Sequence, residues 1–488
     1  MLLTGVNLLL RLVSTSFQVY LSGRIGASGI GMLQLVLSVG ALSITAGMAG
    51  IRTSTMYLTA DALGRKKPGR IRWILSDCFL YSIFCSGAVS VALYLLAPYL
   101  AESWLGQPDA VGAIRLYSFF VPVYCLCGVM TGFFTAAGRI GTLAAIEVAE
   151  QLLCMATTVS ALTLWADTDP LRACESVILG SGAGVCMTLL CLVVLRLRER
   201  AVSDPKVSTG RQLLQTAVPL ALADDLKAGI STTENIMVPK RLSRYPATAD
   251  PLAAFGTVCG MVFPVLMFPA AILFGLAELL IPELARCAAA GSKKRIRYLV
   301  RRTLKVAFLY GCLFGGGEFL LANFLCEKLY PGTDAGSFLR LYSLMIPMLY
   351  CDALTDAMTK GLGQQKACVR YNIITSSMDV VLLYILLPRY GMTGYFFSFL
   401  VTHLLNFALS LNRLMKITGR LLSPAAAVKA LCATVISVWL SGFVASPAFR
   451  VCAFLALMGS LLFLLGVLKK EDILWIKSLM KGAKTQEP

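Results

Sequence analysis

A few charged residues lie inside long apolar runs, and these are where the chain could do chemistry. Arg11 falls in a run at residues 3–22, Arg52 in one at 30–58, and Lys227 in one at 213–237. The last run also carries Asp224, Asp225 and Glu234, and Glu150 lies in the run at 143–165. Asp77, Glu278, Glu283 and Asp379 fall near the ends of such runs and read as interfacial. A charge inside a bilayer costs several kcal/mol and needs a partner or a wet cavity. Arginine presents a planar fork that makes two parallel charge-assisted bonds to phosphate. Basic groups on three separate runs therefore suit an anionic ligand such as a phosphate. The carboxylates could hold the basic groups apart or take up a coupling cation. A second reading stays open: Asp224 and Lys227, three apart on one helix face, pair as a structural bridge, and Arg11 snorkels to the surface.

Other chemistries lack their residues. The chain has one histidine, His403, which cannot form a metal cluster alone and reads as a packed side chain. Most of the 16 cysteines lie in apolar runs, where they act as small apolar side chains. Cys125 and Cys127 are two apart, which suits neither a zinc pair nor a redox pair. There is no Ser-His-Asp set, Gly-rich phosphate loop or paired-metal spacing. The chain is therefore not expected to be an enzyme, and no cofactor is expected.

The elements that position the charges are transmembrane helices. Hydrophobic residues make up 57% of the chain and charged residues 14%, which excludes an ordinary soluble domain. Apolar stretches of about 20 residues recur along the chain, long enough for the ~30 Å hydrocarbon core. They are too continuous for the alternating strands of a barrel. We expect an all-α polytopic membrane protein with about 14 spans. The runs at 30–58 and 253–284 exceed one crossing and should tilt, kink or extend into water. No Lys or Arg precedes the first run, which reads as a retained helix rather than a signal peptide.

The net charge of +18 would suggest nucleic acid in a soluble protein. Here the charge is segregated. With a cytoplasmic N-terminus, about 30 of the 44 Lys and Arg fall in cytoplasmic loops and the tail. The heaviest clusters are at Arg65-Lys66-Lys67, Arg196–Arg200 and Lys293-Lys294-Arg295. Such charges orient helices and touch anionic membrane lipids. No nucleic-acid partner is expected. Both termini are expected in the cytoplasm.

The chain also repeats itself. Arg115-Leu116-Tyr117-Ser118 with Pro122 recurs 225 residues later as Arg340-Leu341-Tyr342-Ser343 with Pro347. Arg70-Ile71-Arg72 recurs as Arg295-Ile296-Arg297, Asp109-Ala110 as Asp334-Ala335, and Gly138 as Gly363. One period contains six spans, an even number, so the repeats are parallel. The expected division is a six-helix bundle at 1–198 and a cytoplasmic linker at 199–212. A second six-helix bundle follows at 213–415, then two further spans at 416–468. An amphipathic cytoplasmic tail at 469–488 ends the chain.

Two stretches carry a specific resemblance. One is Gly23-Arg24-Ile25-Gly26-Ala27-Ser28-Gly29-Ile30-Gly31. The other runs Val238-Pro239-Lys240-Arg241-Leu242, then Gly256, Gly260-Met261, Pro264, Phe268-Pro269 and Ile281-Pro282-Glu283. Together they resemble the stage V sporulation protein B family of the multidrug/oligosaccharidyl-lipid/polysaccharide (MOP) superfamily. Ile146-Glu147-Val148-Ala149-Glu150-Gln151 falls where similar proteins carry a Glu-Gln pair. The chain departs at Gln18, where relatives usually have a second basic residue after Arg11, and at Gly50-Ile51-Arg52, where they often have Gly-Leu-Pro.

The resemblance implies two six-helix bundles in a V around a central cavity. It implies a flippase or exporter for an undecaprenyl diphosphate-linked saccharide, in peptidoglycan or polysaccharide synthesis, working by alternating access in the bacterial cell membrane. Arg11, Gln18, Arg52 and Lys227, with Glu150, Asp224, Asp225 and Glu234, are the expected cavity residues. Coupling would be to membrane potential, H+ or Na+. The partners would be the lipid-linked saccharide, anionic lipids and cell-wall synthesis enzymes. Two other readings stay open: a cation-coupled multidrug antiporter, and a non-transporting scaffold for cell-wall synthesis.

Overall fold

The computed structural model describes residues 2–65, 69–166, 169–198, 209–419 and 424–468, and every regular element among them is helical. In chain order these are α1 (Leu2–Met48), α2 (Ile51–Gly64), α3 (Arg70–Tyr99), α4 (Val111–Ala136), α5 (Ile140–Ala161), α6 (Pro170–Leu197), α7 (Gly210–Leu242) and α8 (Pro251–Phe255). There follow α9 (Phe263–Leu266), α10 (Ala270–Ala289), α11 (Lys293–Leu329), α12 (Ala335–Ser343), α13 (Ile346–Gly361), α14 (Gln365–Thr418), α15 (Pro424–Gly442) and α16 (Pro447–Leu464). Segments of π-helix run through Leu100–Leu105, Leu162–Ala166 and Gly256–Val262.

Nine helical stretches among the described residues are long and apolar enough to cross a membrane. Two of them, Leu10–Gly64 and Gln365–Thr418, have 55 and 54 residues. At ~1.5 Å per residue each is about 80 Å long, enough for two crossings. Each breaks where glycine permits a positive φ: Gly26 at φ 69° and Gly391 at φ 57°. Pro251–Leu266 with Ala270–Ala289 makes a tenth candidate. α7 is 33 residues long but too polar to pass the same test, because it carries Asp224, Asp225, Lys227 and Glu234. The two long helices each have the length for two crossings, and α7 adds a polar helix of 33 residues to these candidates. The protein is an all-α, multi-pass membrane protein.

Contacts divide the chain into two compact units. The first holds Met1–Phe268 and Ile373–Thr402, and the second holds Pro269–Asn372 and His403–Pro488. This grouping does not follow the repeat: α7, α8 and α9 join the first unit. Most of the expected linker, the tail at 469–488, and Lys66, Lys67 and Arg200 of the basic clusters lie outside the described residues.

In the first unit, Ile51 and Leu58 of α2, Ile74 and Leu75 of α3, and Met130 and Phe134 of α4 form a buried core. In the second, Cys312 and Leu320 of α11 pack with Ala430 of α15 and with Phe454 and Met458 of α16. A Cβ at Gly316 would lie 2.6 Å from the Phe454 ring, so the two C-terminal helices are seated closely on α11.

Candidate functional site

The resemblance-bearing glycines mark one close crossing in the first unit. Just after the break at Gly26, α1 passes the segment Pro251–Val262. A Cβ at Gly31 would lie 2.2 Å from the Leu252 carbonyl oxygen, and one at Gly256 would lie 2.1 Å from that of Ala27. Real side chains never come so near, so backbone approach dictates both glycines. On the other side of the break, Gln18 donates a 3.0 Å hydrogen bond from Nε2 to the Gly260 carbonyl, within the π-helix. π-Helical turns are rare and frequent at functional sites. Gln18 is thus committed to the backbone. Arg11, seven residues earlier, shares its helix face. Arg11 is exposed and has no ion-pair partner within 4 Å among the described residues.

Arg52 follows a second break. Ala49 and Gly50 have φ of 43° and 71°. A Cβ at Gly50 would lie 2.5 Å from the Ala217 carbonyl oxygen, so α7 packs directly on this break. Arg52, two residues into α2, is exposed. Its charge acts on Glu147 of α5 and on Cys127 of α4. Glu150, three residues after Glu147, accepts a 2.6 Å hydrogen bond from the Thr188 hydroxyl of α6. A Cβ at Gly184 would lie 3.1 Å from Glu150 Cγ, so glycine lets α6 approach this carboxylate. Arg52, Glu147 and Glu150 form one charge cluster. Sequence reasoning misses Glu147 as a site residue, although its spacing from Glu150 puts both on one helix face.

On α7 the expected residues separate into two kinds. Asp224 and Lys227 are exposed, and no ion pair within 4 Å joins them, so the structural bridge is not formed. Asp225 and Glu234 are half-buried, each with one carboxylate oxygen buried and without a hydrogen-bond partner. Asp225 lies in electrostatic range of Tyr81, whose hydroxyl donates a 3.3 Å bond to the Ala49 carbonyl at the α1–α2 break. α7 is clasped to α1 through Ser38: Asn235 donates to its hydroxyl at 2.9 Å and Thr232 to its carbonyl at 3.1 Å.

Glu234 feels the charge of Asp379. Asp379 is expected near a span end, and the structure corrects this. It lies near the middle of the arm of α14 that precedes Gly391. Its Oδ1 accepts hydrogen bonds from Ser398 at 2.5 Å and Thr402 at 3.3 Å, on the arm after the break. The break folds α14 back on itself, which brings residues 19 and 23 apart in sequence into contact.

The second unit holds its own polar network, which sequence reasoning misses. Asp352 of α13 is 6% exposed. It meets His403 Nδ1 at 3.2 Å and accepts from Asn406 at 2.9 Å. Asp356, one turn on, accepts from Ser410 at 3.1 Å and Asn372 at 3.3 Å. Glu318 of α11 is also buried, with one oxygen lacking a partner. No group of three or more His, Cys, Asp or Glu able to hold a metal ion occurs among the described residues.

Comparison with known proteins agrees with this architecture. The family model MatE matches residues 4–159. Stage V sporulation protein B of Bacillus subtilis (strain 168) is 21% identical over 403 residues, covering 80% of this chain and 77% of that protein. The fold matches the lipid II flippase MurJ in its inward closed conformation, with TM-score 0.71 and 11% identity over 97% of this chain and 99% of that one. It also matches a multidrug resistance MATE family transporter of the MOP superfamily in an inward-facing conformation, with TM-score 0.68 and 13% identity over 85% and 98%. In sequence the chain is thus similar to the MatE model and to stage V sporulation protein B, and in fold to transporters of the MOP superfamily.

Proposed function

We propose that this transporter is a flippase that carries the diphosphate head of an undecaprenyl-linked saccharide across the bacterial cell membrane by alternating access. The observation that carries the reading is the set of exposed cations Arg11, Arg52 and Lys227, on α1, α2 and α7 of one unit, with no ion-pair partner within 4 Å among the described residues. Cations left without such partners in membrane helices need an anion or water. A diphosphate supplies the anion, and Arg52 supplies a fork that matches phosphate. The acyl tail stays in the bilayer while the head crosses a polar path. The names of the relatives, a sporulation protein and a lipid II flippase, support a peptidoglycan precursor as cargo.

Moving a head with about two negative charges outward, down an inside-negative potential of about 100 mV, gains roughly 4–5 kcal/mol at ~2.3 kcal/mol per charge. Glu234 and Asp379 add a place where H+ or Na+ would be taken up, as a second drive. Anionic lipids and cell-wall synthesis enzymes are the proposed partners, and both termini are proposed to be cytoplasmic. Native mass spectrometry of the purified protein tests the reading. A co-purifying prenyl diphosphate saccharide is expected. Its persistent absence, with binding of cationic drugs, would move the assignment to a multidrug antiporter.

A further inference from the structure

The C-terminal end of α7 carries a charge cluster that the proposed pathway does not use. Lys240, Arg241 and Arg244 line a cavity of about 370 Å³, together with Trp104, Ile236 and Tyr384. That volume lies within the range of small-molecule sites. All of these residues belong to the first unit. The lining contains no carboxylate, and none of the three cations makes an ion pair within 4 Å among the described residues.

Neutral groups hold two of the cations in place. Lys240 Nζ donates a 3.0 Å bond to the Ser103 carbonyl in the π-helix Leu100–Leu105. The Arg241 guanidinium lies 3.4 Å from the centre of the Tyr384 ring. A carbonyl and an aromatic face orient a cation without cancelling its charge. The helix C-terminus contributes roughly half a negative charge, so the pocket keeps a net positive field. Beyond Arg244 the chain is anchored: a Cβ at Gly391 would lie 2.7 Å from the Tyr245 ring, so that ring packs on the break in α14.

Two arginine forks and an ammonium suit the oxygens of a phosphate. The exposed indole of Trp104 offers a face to the glycerol or sugar carried beside it. We infer that this pocket binds the phosphate-bearing head of a membrane lipid, at a second site separate from Arg11, Arg52 and Lys227. The choice of a lipid-borne head rests on the flippase reading. The head could belong to a diphosphate-linked cargo or to an anionic phospholipid of the bilayer, and the chemistry is shared.

The test uses the full-length protein in phosphatidylcholine nanodiscs, titrated with inorganic pyrophosphate and with water-soluble dioctanoyl phosphatidylglycerol. Wild type should bind at least one of them. Tighter pyrophosphate binding assigns a diphosphate cargo, and tighter phosphatidylglycerol binding assigns a bilayer lipid. The variant Lys240→Gln/Arg241→Gln/Arg244→Gln should weaken that binding by about tenfold or more. Tyr384→Leu, which leaves all three charges but frees Arg241, should weaken it less. Failure of wild type to bind either probe overturns the site. So does an unchanged Kd in the triple variant, and so does binding by wild type that is lost equally in Arg52→Gln. If wild type binds a probe through this pocket yet flips no prenyl diphosphate saccharide in reconstituted vesicles, the pocket stands and the flippase reading falls.

Discussion

Thr188 donates a 2.6 Å hydrogen bond to Glu150, across the contact between α6 and α5 that Gly184 keeps close. Among the described residues the carboxylate is thereby oriented without an ion pair within 4 Å, three residues from Glu147, which feels the charge of Arg52. Structure and transport can be separated at this bond. Glu150→Gln keeps an acceptor for Thr188 and should leave the thermal midpoint in detergent nearly unchanged. Thr188→Val removes the donor and should cost about 1–3 kcal/mol, because it strands an oxygen of a half-buried carboxylate. If Glu150 serves the cargo or a coupling ion, Glu150→Gln should still slow lipid flipping in reconstituted vesicles. Wild-type flipping in Glu150→Gln would reduce this residue to a packing role.

Arg52 is the cation whose shape should matter most. Lysine at this position keeps the charge but loses the planar fork. Arg52→Lys is therefore expected to lower flipping about tenfold, the worth of one charge-assisted bond, while the fold is retained. Arg52→Gln should lower it further. Equal rates for Arg52→Lys and wild type would mean that position 52 supplies only field, and the diphosphate would need another fork.

Much of the scaffold is legible in the residues. The repeat of 225 predicts equivalent positions, and their side chains behave alike. Arg115 lies 5.1 Å from the Tyr94 ring centre, and Arg340 lies 5.6 Å from that of Phe319, with both members of the pair shifted by the same offset. Ser118 donates to the Arg115 carbonyl at 2.7 Å, and Ser343 to that of Arg340 at 2.8 Å. Gly138 and Gly363 both have φ of 75°. Local chemistry is written locally, so it survives duplication. What stays hidden depends on folding back. Asp379 reads as a solitary acid until the break at Gly391 brings Ser398 and Thr402 against it. Gln18 reads as a lost cation, yet its partner is a carbonyl 242 residues away. The three π-helical segments have no sequence period of their own.

The close crossing at Gly31 and Gly256 makes a strong stability prediction. Alanine at either position places a Cβ about 2 Å from a backbone carbonyl oxygen, which cannot rotate aside. Each substitution should cost about 1–3 kcal/mol through forced helix separation. Gly229, on α7, is the control, since a Cβ there would meet nothing within 4 Å. Gly229→Ala should be neutral, or stabilising by up to ~1 kcal/mol through helix propensity. Thermal unfolding in detergent compares the three, and an equal midpoint for Gly256→Ala and Gly229→Ala would reject the crossing.

In the second unit, Asp352 accepts from Asn406 and faces His403, so one carboxylate satisfies two neighbours on α14. Removing the shared acceptor should hurt more than removing its charge. Asp352→Asn keeps a carbonyl oxygen of the same shape, which can still accept from Asn406. Asp352→Ala leaves the Asn406 amide without its acceptor and opens a polar gap beside His403. An unsatisfied buried donor costs about 1–3 kcal/mol. The thermal midpoints in detergent should therefore fall in the order wild type, Asp352→Asn, Asp352→Ala. Asn406→Leu should bring Asp352→Ala and Asp352→Asn closer together, since the orphaned donor is then gone. A gap between those two variants that persists in the Asn406→Leu background would show that Asp352 acts through some other group.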